Sequence, residues 1–266
     1  MDKQILRKIN KGEVCAIIPA RSGSKGIPHK NIKLMCGYPL ISYTIAAAKL
    51  SETIDRTIVS TDSREYAEIA KLYGAQVPFL RPADISNDSS TDLELMAHAI
   101  QWLYDQENSV PEYFVHLRVT CPIRETSVID QAVALMKQHP EATSLLSACI
   151  PEGILTPFKW LVKQDDIYFK SIFFENNDDA NRPRQSYPSA YMRSVYVDII
   201  SVESLVKNGV LFGNKILAFE TPETVDIDHM DDYEKAQKLI SKENFKIYQY
   251  LLTHYPICKE ETGHVV

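Results

Sequence analysis

Nowhere in the 266 residues does an apolar run approach the ~18 residues needed to cross a bilayer, so no membrane span is expected. The opening stretch, MDKQILRKINKGEV, is broken throughout by charges and lacks the apolar core of a secretory signal. A positive charge excess is missing as well. The net charge of −6 excludes general binding to nucleic acid or to a membrane surface, so any site for an anion must be local. Cys15, Cys36, Cys121, Cys149 and Cys258 are odd in number, and no two have C-x-x-C spacing. That excludes a zinc ribbon and a disulfide framework and reads as reduced thiols in a cytoplasmic protein. Internal repeats and low-complexity tracts are absent too.

What is present is an alternation. VCAIIPA (14–20) is a short apolar run that suits a strand buried on both faces. PLISYTIAAAKLS then carries apolar residues at helical spacing, with Pro39 near its start. RTIVSTDS reads as a strand, REYAEIAKLYGA as a helix stopped by Gly74, LELMAHAIQWLY as a helix and YFVHLRVT as a strand. SVIDQAVALMKQHP and TSLLSACI continue the pattern, and VYVDIIS, NKILAFE and MDDYEKAQKLISKENFKIYQYLL resume it later. Such alternation predicts a three-layer α/β fold with a mostly parallel sheet. Ligands of such sheets bind at the carboxyl ends of the strands. The loops ARSGSKG, STDS and RVTCPIR fall together at that edge. Between about 151 and 190 the period is lost in a stretch rich in Pro, Asn, Asp and aromatics, which reads as an ordered insertion.

The loop after the first strand, ARSGSKGIPHKN, holds Arg21, Lys25 and Lys30. A strand, a glycine-containing loop and a helix make a phosphate cradle: backbone N–H groups of the loop and helix start face the anion, and cations add charge. Gly23 and Gly26 are expected to supply positive φ and close backbone approach. The spacing matches neither G-x-x-x-x-G-K-[ST] nor G-x-G-x-x-G, which removes P-loop ATPase and dinucleotide readings. An exposed basic turn is the alternative on residue types alone. Further on, TVDIDHMDD places Asp226 and Asp228 on one face of an extended segment, with Val225 and Ile227 toward the core. Two carboxylates with phosphate oxygens and water suit Mg²⁺. Asp231 and Asp232 suit the start of the following helix.

The run IIPARSGSKGIPHKN resembles the signature loop of the acylneuraminate cytidylyltransferases, which activate sialic acid and related acidic sugars as CMP-sugars. FLRPADISNDSSTD, RVTCPIR, RQSYP and DID follow in the same order, over about 14–239. The resemblance implies a Rossmann-like nucleotide-diphospho-sugar transferase fold in one domain spanning 1–266. It makes the insertion at 151–190 a dimerisation arm and the protein a homodimer. It implies CTP and an acidic sugar as substrates and Mg²⁺ (or Mn²⁺) as cofactor, held by Asp226 and Asp228. Arg21, Ser24 and Lys25, with Ala20 beside them, would contact the phosphates, and Asn31 the nucleotide. Arg81 and Ser86 would lie near base and ribose. Arg21, Lys25 and Asp228 would carry the catalysis. Arg184 would reach the sugar carboxylate across the dimer interface, and Phe212 would line the sugar pocket, where Leu211 replaces a second aromatic.

Departures from the family pattern gather around the acceptor. Arg118 stands where the family has a glutamine that touches the sugar, Ser194-Val195 replaces Asn-Gly, and Asp198 replaces a tyrosine. A sugar 1-phosphate acceptor or another nucleotide such as GTP therefore stays open. So does a non-catalytic nucleotide-binding module, against which the two aspartates argue. His29 and His116 read as structural or exposed.

Overall fold

The computed structural model describes residues 1–151, 156–242 and 245–258. In chain order it contains β1 (Ile9–Pro19), the small pair β2 (Leu34–Met35) and β3 (Tyr38–Pro39), α1 (Leu40–Leu50), β4 (Arg56–Ser60) and α2 (Arg64–Leu72). Then come α3 (Asp92–Glu107), β5 (Val110–His116), α4 (Thr126–Gln138), β6 (Ser144–Cys149), β7 (Leu161–Gln164), β8 (Tyr168–Ser171) and β9 (Met192–Ser201). The chain continues with α5 (Val202–Asn208), β10 (Ile216–Glu220), α6 (Met230–Lys242) and α7 (Lys246–His254).

The apolar run 14–20 becomes the centre of the molecule because its alternate side chains serve two cores. Val14, Ala16, Ile18 and Ala20 pack with residues of α1, α2, α4, α6 and α7, whereas Cys15 and Ile17 pack with α3 and α5 on the other side. A strand covered by helices on both faces needs no polar face, and this one has none. The result is the expected three-layer α/β architecture. Six strands form one sheet in the order β10-β6-β9-β5-β1-β4, with β1 parallel to β4 and β5 and β10 parallel to β6. Only β9 runs against its neighbours β5 and β6. An antiparallel neighbour needs no crossover helix, and the chain joins β6 to β9 through the insertion instead.

Local sequence signals explain the helix ends. Thr91 and Glu94 form a capping box at the start of α3, and Ser63 accepts the Tyr66 N–H at the start of α2. Gly74 follows α2 at φ +90°, the left-handed stop that the sequence predicted. The strand expected over YFVHLRVT ends at His116, so Arg118 and Val119 belong to the loop beyond it. The run 230–252 is two helices, and residues 243 and 244 lie outside the described residues.

The insertion is ordered, as its aromatics predicted, although residues 152–155 of it lie outside the described residues. Phe158, Phe173, Phe174 and Tyr187 cluster, with Phe158 and Tyr187 stacked at 5.4 Å between ring centres. Beside them the antiparallel pair β7 and β8 holds its side chains outward, with Trp160, Leu161, Ile167, Tyr168 and Phe169 exposed.

Arg124 ties the loop after β5 to the rest of the fold. It is 1% exposed, and its guanidinium donates to the Tyr196 carbonyl (2.7 Å), the Thr44 hydroxyl (3.1 Å) and the Arg118 carbonyl (2.6 Å). Removing this buried cation takes a charged donor from each of three neutral acceptors, of which the Arg118 carbonyl keeps the Thr44 hydroxyl and the Cys121 N–H at 3.4 Å each. Arg124→Leu should cost about 3 kcal/mol and lower the melting temperature by roughly 6 to 12 °C. Calorimetry checks this, and an unchanged melting temperature would remove Arg124 as a structural tie.

Candidate active site

The β1, β4 and β5 strands are mutually parallel, so the loops that leave them meet at one edge. The contacts are direct. Ala20 N–H donates to the Ser60 carbonyl at 2.9 Å, Ser22 donates through N–H and Oγ to the Asp62 carboxylate at 2.8 Å each, and Arg81 N–H reaches the Thr61 carbonyl at 2.7 Å. Asn31 closes the first loop from within, its side-chain amide donating to the Arg21 carbonyl at 2.9 Å. Between these loops opens a cleft of about 540 Å³.

Arg21, Ser24, Lys25, Asn31, Arg81, Arg118 and Asp228, seven of the residues singled out from sequence, line this cleft. Five do not. Ala20 is buried behind it, and Ser86 turns its hydroxyl to the Pro82 carbonyl at 2.7 Å. Asp226 is exposed on the Asp228 segment without reaching the lining, while Arg184 and Phe212 lie elsewhere. Lys30, expected as the third cation of the loop, lines the cleft as well, and so do Asp92 and His229, to which the sequence reading gave no role there.

Two expectations about the loop are corrected. Neither Gly23 nor Gly26 has a positive φ. Gly26 is needed for close approach alone: a Cβ there would run into the carbonyl oxygen of Asp228, whereas Gly23 has open space around it. Nor does a helix start directly after the loop. A single turn at Lys30–Ile32 and the β2–β3 pair intervene before α1, which contributes nothing to the cleft. The helix whose start faces the cleft is α3, through Thr91, Asp92 and Leu95. The cradle is therefore built from side-chain cations more than from a helix dipole.

Every cleft cation but Arg81 carries a carboxylate among the described residues. Arg21 donates to Asp88 at 2.7 Å and Lys25 at 2.5 Å, and these two bonds hold the Asp88 carboxyl below its ordinary range. Lys30 donates to the Ile227 carbonyl at 2.6 Å and to the Asp228 carboxylate at 3.3 Å. Val225 and Ile227 are buried and Asp226 and Asp228 exposed, the alternation predicted for an extended segment. Asp232 accepts the N–H groups of Asp228 and His229 at 3.1 and 2.9 Å, which confirms the helix-start role expected of it. Arg81, 6% exposed, has an unpartnered Nε, and burial pulls its guanidinium below the usual arginine range.

At the far wall Arg118 meets Asp92 at 2.6 Å. Burial pushes the Asp92 carboxyl up, and the neighbouring charges, Arg118 above all at neutral pH, outweigh it and hold it down. His116 lies 3.9 Å from Asp92 with neither ring nitrogen hydrogen-bonded, and burial, aided by Arg118, lowers it to about 4. It is thus a neutral core residue, as expected. Its sheet partner Asp198, also buried, accepts from Arg193 at 2.6 Å, and Arg193 lies 5.1 Å above the Phe212 ring. Two of the positions that depart from the family pattern, Arg118 and Asp198, thus act electrostatically on His116.

The site's donor set fits a hard divalent cation. Two carboxylates leave one exposed face two residues apart, and among the described residues no third His, Cys, Asp or Glu joins them. A Mg²⁺ or Mn²⁺ ion there would complete its shell with phosphate and water. The contact at Gly26 joins this segment to the loop after β1. Gly26→Ala overpacks it, and overpacking costs about 1–3 kcal/mol, so nucleoside triphosphate affinity should fall by about tenfold. Titration calorimetry checks this, and wild-type affinity in the variant would show that the contact is dispensable.

A sequence profile of the cytidylyltransferase family matches residues 15–253. The chain is 32% identical over 237 residues to the N-acylneuraminate cytidylyltransferase of Escherichia coli O18:K1:H7, covering 87% of this chain and 53% of that protein. It is 30% identical over 230 residues to a pseudaminic acid cytidylyltransferase of Campylobacter jejuni, covering 86% of this chain and 96% of that one. It thus spans about half the length of the first and nearly all of the second. In fold it is similar to a CMP:2-keto-3-deoxy-manno-octonic acid synthetase complexed with CTP, with a TM-score of 0.61 and 15% identity over 86% of this chain and 99% of that one. By the profile match, which takes in every residue that lines the cleft, the chain belongs to the cytidylyltransferase family.

Proposed function

We propose that the protein activates a nonulosonic acid of the sialic, legionaminic or pseudaminic type with CTP, giving a CMP-sugar and pyrophosphate. The observation that carries this is the convergence of Arg21, Lys25 and Lys30 with Asp228 in one cleft at the carboxyl edge of the sheet. The names of the relatives support the nucleotide and the acceptor class.

The acceptor hydroxyl attacks the α-phosphorus, the bond from that phosphorus to the bridging oxygen breaks, and pyrophosphate leaves. Such chemistry depends on positioning and charge neutralisation more than on a covalent nucleophile. Arg21 and Lys25 lie where the leaving pyrophosphate would gain charge. Ser24, Asn31 and Arg81 hold the nucleotide, Arg81 with its spare Nε–H. Asp226 and Asp228 would hold Mg²⁺ (or Mn²⁺), which would supply charge neutralisation at the α-phosphate and lower the pKa of the attacking hydroxyl. Lys30, bonded to the Ile227 carbonyl, steadies that segment. On the acceptor side Arg118 presents its guanidinium already balanced by Asp92.

The exposed apolar face of the insertion supports a homodimer. Ile167, Tyr168 and Phe169 are 73%, 69% and 64% exposed in succession, and a contiguous apolar face on a water-exposed arm is an interaction surface. A second copy covering it would bring Arg184, which lies on the same arm, to the partner's acceptor pocket. No helix among the described residues is long and apolar enough to cross a membrane, and the five cysteines are unpaired, which fits a reducing, cytoplasmic setting.

Pyrophosphate release should occur with CTP plus a nonulosonic acid and not with ATP, GTP or UTP, nor with sugar 1-phosphates. Another productive pair would redefine the substrates, and none at all would indicate a binding module. Asp228→Ala or EDTA should lower turnover by about 100-fold or more with the fold intact by circular dichroism. Full activity in either would remove the metal assignment. Light scattering should give twice the mass of one chain, and Tyr168→Glu with Phe169→Glu should give monomers, whereas a wild-type monomer would end the dimer proposal.

A further inference from the structure

Asp88 has an unusual placement for an acid. Its carboxylate bridges two of the cations that line the cleft, one oxygen 2.7 Å from an Arg21 nitrogen and the other 2.5 Å from Lys25 Nζ. Its own loop does not need that carboxylate. Asn87 donates to the Asp84 carbonyl at 2.7 Å and accepts from the Ser89 N–H and hydroxyl at 2.9 and 2.6 Å, while Ser90 Oγ accepts the Asn87 N–H at 2.9 Å. The capping box at Thr91 and Glu94 then anchors the loop to α3. Asp88 is thus held out from a turn braced on both sides, and among the described residues its side-chain hydrogen bonds and ion pairs are with the two cations.

We propose that Asp88 is an internal counter-anion that occupies the polyphosphate position in the ligand-free protein and competes with pyrophosphate for Arg21 and Lys25. The inference rests on the reading that this loop holds the nucleotide's polyphosphate. Two carboxylate oxygens divided between two cations reproduce the contacts that two oxygens of a phosphate chain would make. A polyphosphate offers more charge and more oxygens than one carboxylate, so it displaces Asp88. Once the nucleotidyl group has been transferred, the returning carboxylate takes back both cations and opposes retention of pyrophosphate. Asp88 acts here as a positioning residue, through Arg21 and Lys25, and touches no reacting atom.

Titration calorimetry of the full chain with sodium pyrophosphate tests this. Asp88→Asn should bind pyrophosphate about fivefold tighter than wild type, the scale of an exposed ion pair, and Asp88→Glu should stay near wild type. The same factor should appear as tighter product inhibition and a lower KM for CTP, without a rise in kcat. In an Arg21→Ala, Lys25→Ala background the Asp88→Asn gain should vanish. Unchanged or weaker pyrophosphate binding in Asp88→Asn would overturn the inference. A gain that persists without the two cations would overturn it too, since the effect would then be that of any removed negative charge. A wild type that neither binds nor releases pyrophosphate would instead remove the proposed function, and this inference with it.

Discussion

Five cations, Arg21, Lys25, Lys30, Arg81 and Arg118, face one cleft, and their mutual repulsion is balanced by carboxylates brought from separate parts of the chain. Asp88 comes from the loop before α3, Asp92 from the first residue of α3, and Asp228 from the segment before α6. The protein carries a net charge of −6, so this concentration of positive charge is a local construction. The sheet brings the loops after β1 and β5 together, and those acids offset the repulsion between the cations that they carry. With them, the cleft keeps its shape and still offers donors to an incoming anion.

The same logic explains which residues brace the site. Gly26 is small because the loop after β1 touches the Asp228 backbone. Arg124 is buried because the Arg118 carbonyl of the loop after β5 and the Tyr196 carbonyl of β9 both turn to it for a donor. Both residues act at the joints between segments that lie far apart in sequence. The parallel sheet makes those joints possible, since β1, β4 and β5 deliver their loops to one edge.

The insertion follows a different rule. Its aromatic cluster gives it order, while the outer side chains of β7 and β8 remain uncovered. A segment that builds its own small core and leaves a second apolar face open is suited to another chain. Since it also connects β6 to β9, its presence accounts for the one antiparallel strand in the main sheet.

Much of this was legible in the order of residues. The run 14–20 announced a strand buried on both faces, Gly74 a helix stop, and the alternation Val225, Asp226, Ile227, Asp228 an extended segment with both acids outward. These are local properties, set by side-chain periodicity and backbone sterics, and a sequence states them directly. The partners of Gly26, Lys30, Asp88 and Asp92 were not legible, because each lies elsewhere in the chain. Gly26 looked like a turn residue until the Asp228 carbonyl was found against it. Ion pairs and close approaches are decided by which loops the sheet brings together, and no local pattern encodes that distance. The sequence alone therefore determined the layers, the edge at which ligands bind and the kind of charge found there. Only the tertiary structure decided which carboxylate answers which cation, since that depends on distances of a few ångströms across the fold.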